Sequence, residues 1–445
     1  MTDDRQSLMA CHGCGAIYQR RSLVSGEQAE CSRCGIVLDK HSRLNASSWL
    51  ALAISALIVF VIANAMPVAS MTVQGATQQA TLLDAVALTF GQGKTAVALM
   101  TGLSGFLVPL LQILALLWLL FPLANGRPPA GFQLIVRLLG WLLPWSMVPV
   151  FLLGAVVSVV KLAGMAAVEP GIGLLAFAVL TVLLTILGRL QPDALWRLAE
   201  EAGVVSDIAP VTQHDDSTHG TATVTMRQSA CHTCGEVQAM PVEGTCRCRR
   251  CHATVSLRRP ESLARTTALL LAAAVFYVPA NLYPVMRTST LLGDTDSTIL
   301  GGVVLLWSMG SWDIALIVFV ASVVIPLGKL LALAVLVFQA HRGAAVRLRQ
   351  RTVMYAMVER IGQWSMLDVY VVILLAALAN FPGLAQVSAG SGAAAFGLVV
   401  VLTMLAAMSY DPRIIWDNEP DDDCATANPS AIATDTMALQ PESNT

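Results

Sequence analysis

The chain has 445 residues, 56% of them hydrophobic and only 13% charged, with a formal net charge of −2. A water-soluble protein of this length exposes far more charge, so the composition excludes that class and indicates a polytopic membrane protein. The near-neutral balance is silent on nucleic acid, and no basic stripe with interleaved aromatics offers a surface for it.

The first segment, Met1 to Gln28, is polar and lacks an apolar signal-peptide core, so no cleaved leader is expected. It carries Cys11-His-Gly-Cys14-Gly, followed by Cys31-Ser-Arg-Cys34-Gly. Two C-x-x-C knuckles at this separation supply four thiolates to one tetrahedral ion, as in a zinc ribbon. Iron in a rubredoxin-like site is the rival metal. A disulfide framework would need an oxidising compartment. A thioredoxin-like redox pair would need only one C-x-x-C, set in a βαβ pattern that does not surround these.

Four apolar runs follow at 49–66, 95–121, 138–162 and 171–190, each near the ~20 residues that cross a hydrocarbon core. A polar, aperiodic linker at 198–228 leads to Cys231-His-Thr-Cys234-Gly and Cys248-Arg-Arg-Cys251-His, a second ribbon with Cys246 as an alternative ligand to Cys248. Four further runs lie at 266–283, 313–339, 364–381 and 393–410. The loops 67–94 and 284–312 are moderately apolar and read as short interfacial helices or plain caps. After Trp416 comes a polar tail with Asp421-Asp422-Asp423 and Cys424, expected to be disordered.

Arg342, Arg347, Arg349, Arg351 and Arg360 crowd one loop, and Arg127 and Arg137 another, whereas the loops on the other side carry only Lys94 and Arg287. The positive-inside rule then places both ribbons, the linker and both termini in the cytoplasm. The resulting division is 1–44 first ribbon, 45–197 first four-helix module, 198–228 linker, 229–260 second ribbon, 261–416 second four-helix module and 417–445 tail. The predicted fold is an all-α polytopic membrane protein of eight spans in two tandem modules, each preceded by a small zinc ribbon.

The halves match in detail. At an offset of 217, Asn64-x-x-Pro67 aligns with Asn281-x-x-Pro284, and Pro109-Leu110 with Pro326-Leu327. At 219, Trp145-Ser-Met aligns with Trp364-Ser-Met; at 220, Pro192 and Trp196 align with Pro412 and Trp416. An even number of spans per half makes the repeats parallel.

The pattern C-H-x-C-G…C-x-R-C before each half, the N-x-x-P helix ends, Pro326-Leu327-Gly328-Lys329 and Trp364-Ser-Met-Leu-Asp368-Val369 together resemble the paraquat-inducible protein A family across nearly the whole chain. The resemblance implies a bacterial inner-membrane protein that moves lipids across the envelope with a periplasmic MCE-domain partner. Composition and spacing alone give only a duplicated eight-helix protein with two cytoplasmic metal ribbons.

Inside the second half, Lys329 stands where the first has Gln112, and Asp368 where the first has Pro149. An unpaired charge in a span costs about 2.5–3.5 kcal/mol on insertion scales, so a Lys329–Asp368 pair completed by Thr403 and Ser322 is expected. Such a pair either pins two helices together or acts as a protonatable switch. Pro326 with Gly328, and Pro109 in the first half, weaken their helices locally and read as hinges. Lys161, near the far end of its helix, reads as a snorkelling lysine. Gly91-Gln-Gly-Lys94-Thr95 lacks the first glycine of a phosphate loop, since position 88 is Leu88, and no catalytic constellation is present. The chain therefore reads as a non-enzyme that binds two zinc ions but no nucleotide, and the family resemblance implies membrane lipids as its further partners. The alternatives are a non-transporting anchor for the MCE partner and a thiol-based stress sensor.

Overall fold

The computed structural model describes residues 8–20, 23, 27–40, 44–73, 76–163, 167–204, 226–242, 244–290, 293–308, 310, 312–343, 347–381, 385–417 and 438–441. Runs that are apolar on every face form helices, because a bilayer core offers no water to satisfy open backbone. Among the described residues seven helices are long and apolar enough to cross a membrane. An eighth counts if Ile172–Leu187 and Pro192–Glu201, bent by 68° at their junction, form one span.

The first half comprises α1 (Ala46–Ala65), the short α2 (Leu82–Gly91), α3 (Thr95–Gly102) running into α4 (Val108–Ala124), α5 (Phe132–Leu142) leading to α6 (Val148–Ala163), then α7 (Ile172–Leu187) and α8 (Pro192–Glu201). The second comprises α9 (Ser262–Leu282), α10 (Ile299–Ser308), α11 (Trp312–Phe319) running into α12 (Ile325–His341), α13 (Leu348–Ile361) leading to α14 (Leu367–Leu378), and α15 (Ser391–Ser409). In one half α1 packs on α4 and α7; in the other α9 packs on α12 and α15. The third long helix of each half starts earlier than its apolar run, at Phe132 and Leu348, because its basic residues decorate a helical surface. Arg349, for one, lies beneath Gly35 of the first ribbon.

Pro109 and Pro326 do not sit at simple kinks. Each follows a π-helical turn, Leu103–Leu107 or Val320–Val324, which absorbs the hydrogen bond that proline cannot donate. The chain continues through both turns as a single long helix.

At the end away from the ribbons, the segments expected to be short helices start as hairpins. Strands β5 (Ala69–Val73), β6 (Ala76–Ala80) and β7 (Ala167–Pro170) form one sheet in the order β6-β5-β7; β12 (Met286–Thr290), β13 (Gly293–Ser297) and β14 (Ala385–Ala389) form another in the order β13-β12-β14. The third strand stabilises a hairpin that would be marginal alone. Each third strand enters the last helix through a Gly-x-Gly step. Gly171 and Gly173 donate to Val68 O and Pro67 O at 2.9 and 3.0 Å, and Gly390 and Gly392 to Val285 O and Pro284 O at 2.8 and 3.0 Å. A Cβ at 171 would stand 2.1 Å from Pro67 O, and one at 390 would stand 2.0 Å from Pro284 O. The N-x-x-P corners thus seat a second backbone, while Asn64 and Asn281 donate back to Phe60 O and Tyr277 O.

The core centres on α14, where every residue from Leu367 to Leu378 is buried. It packs on α6 and α2 of the other half. The most apolar window of the helix Leu348–Leu378 is 88% buried, against at most 56% for the other spans, so this helix is the axle of the molecule.

The ribbons dock crosswise. The first, built from β1 (Leu8–Ala10), β2 (Ile17–Gln19), β3 (Glu27–Glu30) and β4 (Val37–Lys40), packs with Tyr355, Tyr410 and Trp416 of the second half. The second, built from β8 (Met226–Ala230), β9 (Val237–Pro241), β10 (Thr245–Arg247) and β11 (Thr254–Ser256), packs with Leu195 and Trp196 of the first. Equivalent arginines make the contact: Arg33 lies 4.7 Å from the Trp416 ring centroid and Arg250 lies 4.6 Å from that of Trp196.

Two expected boundaries shift. The linker placed at 198–228 begins as helix, since α8 runs to Glu201, and β8 starts at Met226. Within the tail, Asp417 pairs with Arg258, and β15 (Ala438–Pro441) adds a strand to β3, whose open edge presents unpaired backbone groups; the acidic run and Cys424 lie outside the described residues.

Candidate functional site

Each ribbon brings four buried cysteines together. Cys11, Cys14, Cys31 and Cys34 form one set, and Cys231, Cys234, Cys248 and Cys251 the other; within each, all Sγ atoms lie within 4.8 Å of one another. Cys11–Cys34 and Cys14–Cys31 approach to 3.4 and 3.5 Å, and Cys231–Cys251 and Cys234–Cys248 do the same. Thiolates around one tetrahedral ion with bonds of ~2.3 Å stand about 3.8 Å apart, so both sets fit a single metal ion. The knuckles share one backbone plan. The N–H after the second cysteine returns to the carbonyl of the first, in Gly15→Cys11, Gly35→Cys31, Gly235→Cys231 and His252→Cys248. That residue has a positive φ of 80°, 77°, 74° and 54° respectively, which suits glycine and strains His252.

Cys246 is not in the second set. It lies on β10, where its Sγ accepts a hydrogen bond from Gln238 at 3.0 Å. Tyr18, the counterpart of Gln238 in the first ribbon, instead stands 3.2 Å from Cys31 Sγ. None of His12, His232 and His252 belongs to either set. His232 accepts from Arg413 at 3.0 Å; burial, then the charges of Arg413 and Arg259, push its pKa down to about 4. Arg413 is held by Asp411, whose own pKa falls to about 2. Burial works against that fall, but the hydrogen bonds and charge of Arg413 outweigh it.

Within the membrane helices, Lys329 and Asp368 are 4% and 8% exposed. They do not form the expected pair: no ion pair joins them among the described residues, and Lys329 Nζ and Asp368 Oδ2 both lack a hydrogen-bond partner. The cause is the break between α13 and α14, a 3-10 turn over Gly362–Met366. Lys329 extends its ammonium over Gly362, where an added Cβ would stand 2.8 Å from Nζ. That places a cation against the C-terminal end of α13 and leaves Asp368 in the first turn of α14, so each charge meets the favourable end of a helix dipole. Ser322 faces Asp368 without a hydrogen bond of normal geometry. Thr403 is buried but returns its hydroxyl to Val400 O of its own helix at 2.9 Å, outside the expected network. Lys161, read as a snorkelling residue, is the basic group that interacts electrostatically with Asp368.

Sequence reasoning missed Ser365, buried at the break with an unpartnered hydroxyl, although it lies within the Trp-Ser-Met motif three residues before Asp368. It also missed Tyr370. This fully buried residue crosses into the first half, where its hydroxyl meets Ser104 at 2.7 Å and its ring packs edge-on against Phe151 at 5.5 Å. Ser104 belongs to the π turn of the first half and Ser322 to that of the second. Both irregular turns therefore address α14, at positions two residues apart.

The description "Paraquat-inducible protein A" belongs to a family model that matches residues 46–200 and again 263–419. The intermembrane transport protein PqiA of Escherichia coli is 33% identical over 414 residues, 92% of this chain and 96% of that protein. The lipophilic envelope-spanning tunnel protein A of Escherichia coli is 28% identical, covering 93% of this chain and 92% of its own length; a probable intermembrane transport protein of Haemophilus influenzae is 26% identical over 94% and 97%. No solved structure matches. Matched in each half by the family model and along almost its full length by these relatives, the chain belongs to the paraquat-inducible protein A family.

Proposed function

We propose that this protein is an inner-membrane component of an envelope lipid-transport system, passing lipids between that membrane and a periplasmic tunnel partner of the MCE class. The names of its relatives, intermembrane transport protein and envelope-spanning tunnel protein, support that assignment. In this reading the chain is a tandem duplication of two four-span modules, eight spans in all. Its ribbons and termini lie in the cytoplasm, and each four-cysteine set holds one zinc ion. Zinc there supplies folding free energy to a small domain with little core of its own.

The observation that carries the functional reading is the break between α13 and α14. There an ammonium, a carboxylate and two serine hydroxyls are buried in the spans without mutual satisfaction. Charged groups in such a place are expensive and mark working sites in membrane proteins. Gain or loss of one proton at Lys329 or Asp368 changes the charge of a dry site at the start of the axle helix, and so favours a different position of α14. Ser322 and Ser365, the two unpartnered hydroxyls, line the path of that proton, whereas Thr403 is committed to its own helix. The π turns ahead of Pro109, Pro326 and Gly328 supply the give.

Complementation of a strain lacking the gene by Asp368→Asn tests this, with membrane abundance and partner co-purification measured in parallel. The expected result is a stable, partner-bound and inactive variant. Full activity of Asp368→Asn would overturn the switch and leave a non-transporting anchor as the account of the protein.

A further inference from the structure

At the end of the molecule away from the ribbons, a cavity of about 330 Å³ opens between the first half and the tip of α14. Gln78, Gln79 and Ala80 of β6 line one wall, Asp84 and Leu88 of α2 another, and Ala377 and Asn380 the third. It therefore spans the joint between the two halves, where ligand sites concentrate, at the low end of the usual ligand-pocket range of ~300–1,000 Å³. Asn380 lies just beyond the span that ends at Leu378, so the mouth sits at the depth of lipid headgroups.

The lining chemistry is selective. Asp84 uses Oδ2 to accept from the Thr81 N–H and hydroxyl in a capping box, at 3.0 and 2.7 Å, which leaves Oδ1 uncommitted. Gln78, Gln79 and Asn380 are the other polar residues along its walls, and no Lys, Arg or aromatic residue lines it. A lone carboxylate without a basic neighbour repels an anionic headgroup. A quaternary ammonium calls for an aromatic cage, which is missing. A primary ammonium has three N–H donors that match Asp84 Oδ1 and the amide oxygens, while the amide NH₂ groups can donate to an adjoining phosphate. Leu88, Ala80 and Ala377 supply an apolar shoulder for the glycerol end.

We infer that this cavity is the seat of a lipid headgroup of the phosphoethanolamine kind. The inference rests on the lipid-transport reading and names its substrate class. Because α14 carries Asp368 in its first turn and Ala377 near its tip, with the fully buried Tyr370 between, the seat and the buried charges share one rigid element.

The test is lipid retention by purified full-length protein in nanodiscs that hold equal amounts of phosphatidylethanolamine, phosphatidylglycerol and phosphatidylcholine, read by native mass spectrometry. Phosphatidylethanolamine is expected to be retained roughly tenfold over the other two, the ratio of a single charge-assisted contact. The preference should collapse in Asp84→Asn, which keeps an oxygen for the capping box, and in Asn380→Leu, which does not touch that box. Equal retention by the unaltered protein, or a preference that survives both substitutions, would overturn the inference. So would displacement by soluble phosphoethanolamine at low concentration, which would mark a site for a free metabolite. Since the readout is binding and not complementation, it can fail while the transport reading stands, and the reverse also holds.

Discussion

The Gly-x-Gly step that opens the last helix of each half offers the sharpest test of the architecture. In Gly390→Ala the new methyl group would lie 2.0 Å from Pro284 O, 1.4 Å inside the 3.4 Å at which ordinary van der Waals contact begins. The obstacle is backbone, so no rotamer change relieves it; either α15 or the corner after α9 must move. Overpacking of this kind costs ~1–3 kcal/mol. Displacement also threatens the hydrogen bonds from Gly390 to Val285 and from Gly392 to Pro284, worth ~1 kcal/mol each. A total of about 3 kcal/mol shifts the folded-to-unfolded ratio roughly a hundredfold. The assay is thermal unfolding of purified protein in detergent, alongside Gly302→Ala, a helical glycine with nothing within 4 Å of its added Cβ. Gly171→Ala should behave like Gly390→Ala, since the geometry recurs there. Equal melting of Gly390→Ala and Gly302→Ala would refute the claim that the corners are built around missing side chains.

Arg250→Met removes the stacking of the second ribbon on the buried Trp196, together with the ion pairs of Arg250 to Glu200 and Glu236, and should raise amide exchange across Val237–Pro241 at least about fivefold, on ~1 kcal/mol for the cation–π contact alone; unchanged exchange would deny it a docking role. His252→Gly relieves a positive φ at the one knuckle without glycine and should stabilise the second ribbon by about 0.5–1 kcal/mol, seen as slower loss of metal to a chelator. The carboxyl of Asp411 titrates near 2 in the fold against an ordinary 3.8, so its contribution to stability is full above pH 3.8 and is lost as pH falls through 2. Asp411→Asn should accordingly melt lower than the parent at neutral pH and converge with it at pH 2; a gap independent of pH would refute the assignment.

Cysteine spacing identified both four-thiolate sets, because C-x-x-C knuckles are local objects whose geometry travels with the sequence. Only the choice between Cys246 and Cys248 needed structure, where Gln238 claims the former. Long apolar runs marked the spans for a similar reason. Their starts at Phe132 and Leu348 were hidden because basic residues on a helix resemble a basic loop. The Lys329–Asp368 pair failed because depth along a helix can be counted but rotation at a break cannot. The turn at Gly362–Met366 decides where each charge points. The hairpins were masked by their short, half-polar strands, which become stable only with a third strand from ~90 residues away. Gly171-x-Gly173 and Gly390-x-Gly392 were visible as a repeat, yet nothing in one dimension shows what approaches a glycine.

Crosswise docking also sets an order of events during synthesis. Arg33 leaves the ribosome long before Trp416 exists, and at ~5–20 residues per second the wait is on the order of tens of seconds. The second ribbon faces no such delay, since Trp196 precedes Arg250 in the chain. From the synthesis of Trp196 until Arg250 follows it, Trp196 is an open berth that closely resembles the one awaited by the first ribbon. The salt bridge of Asp39 with Arg197 joins the first ribbon to α8 of its own half, and both partners are available early. It can moor the ribbon beside that surface without filling it, so the vacant berth is still open when Arg250 arrives.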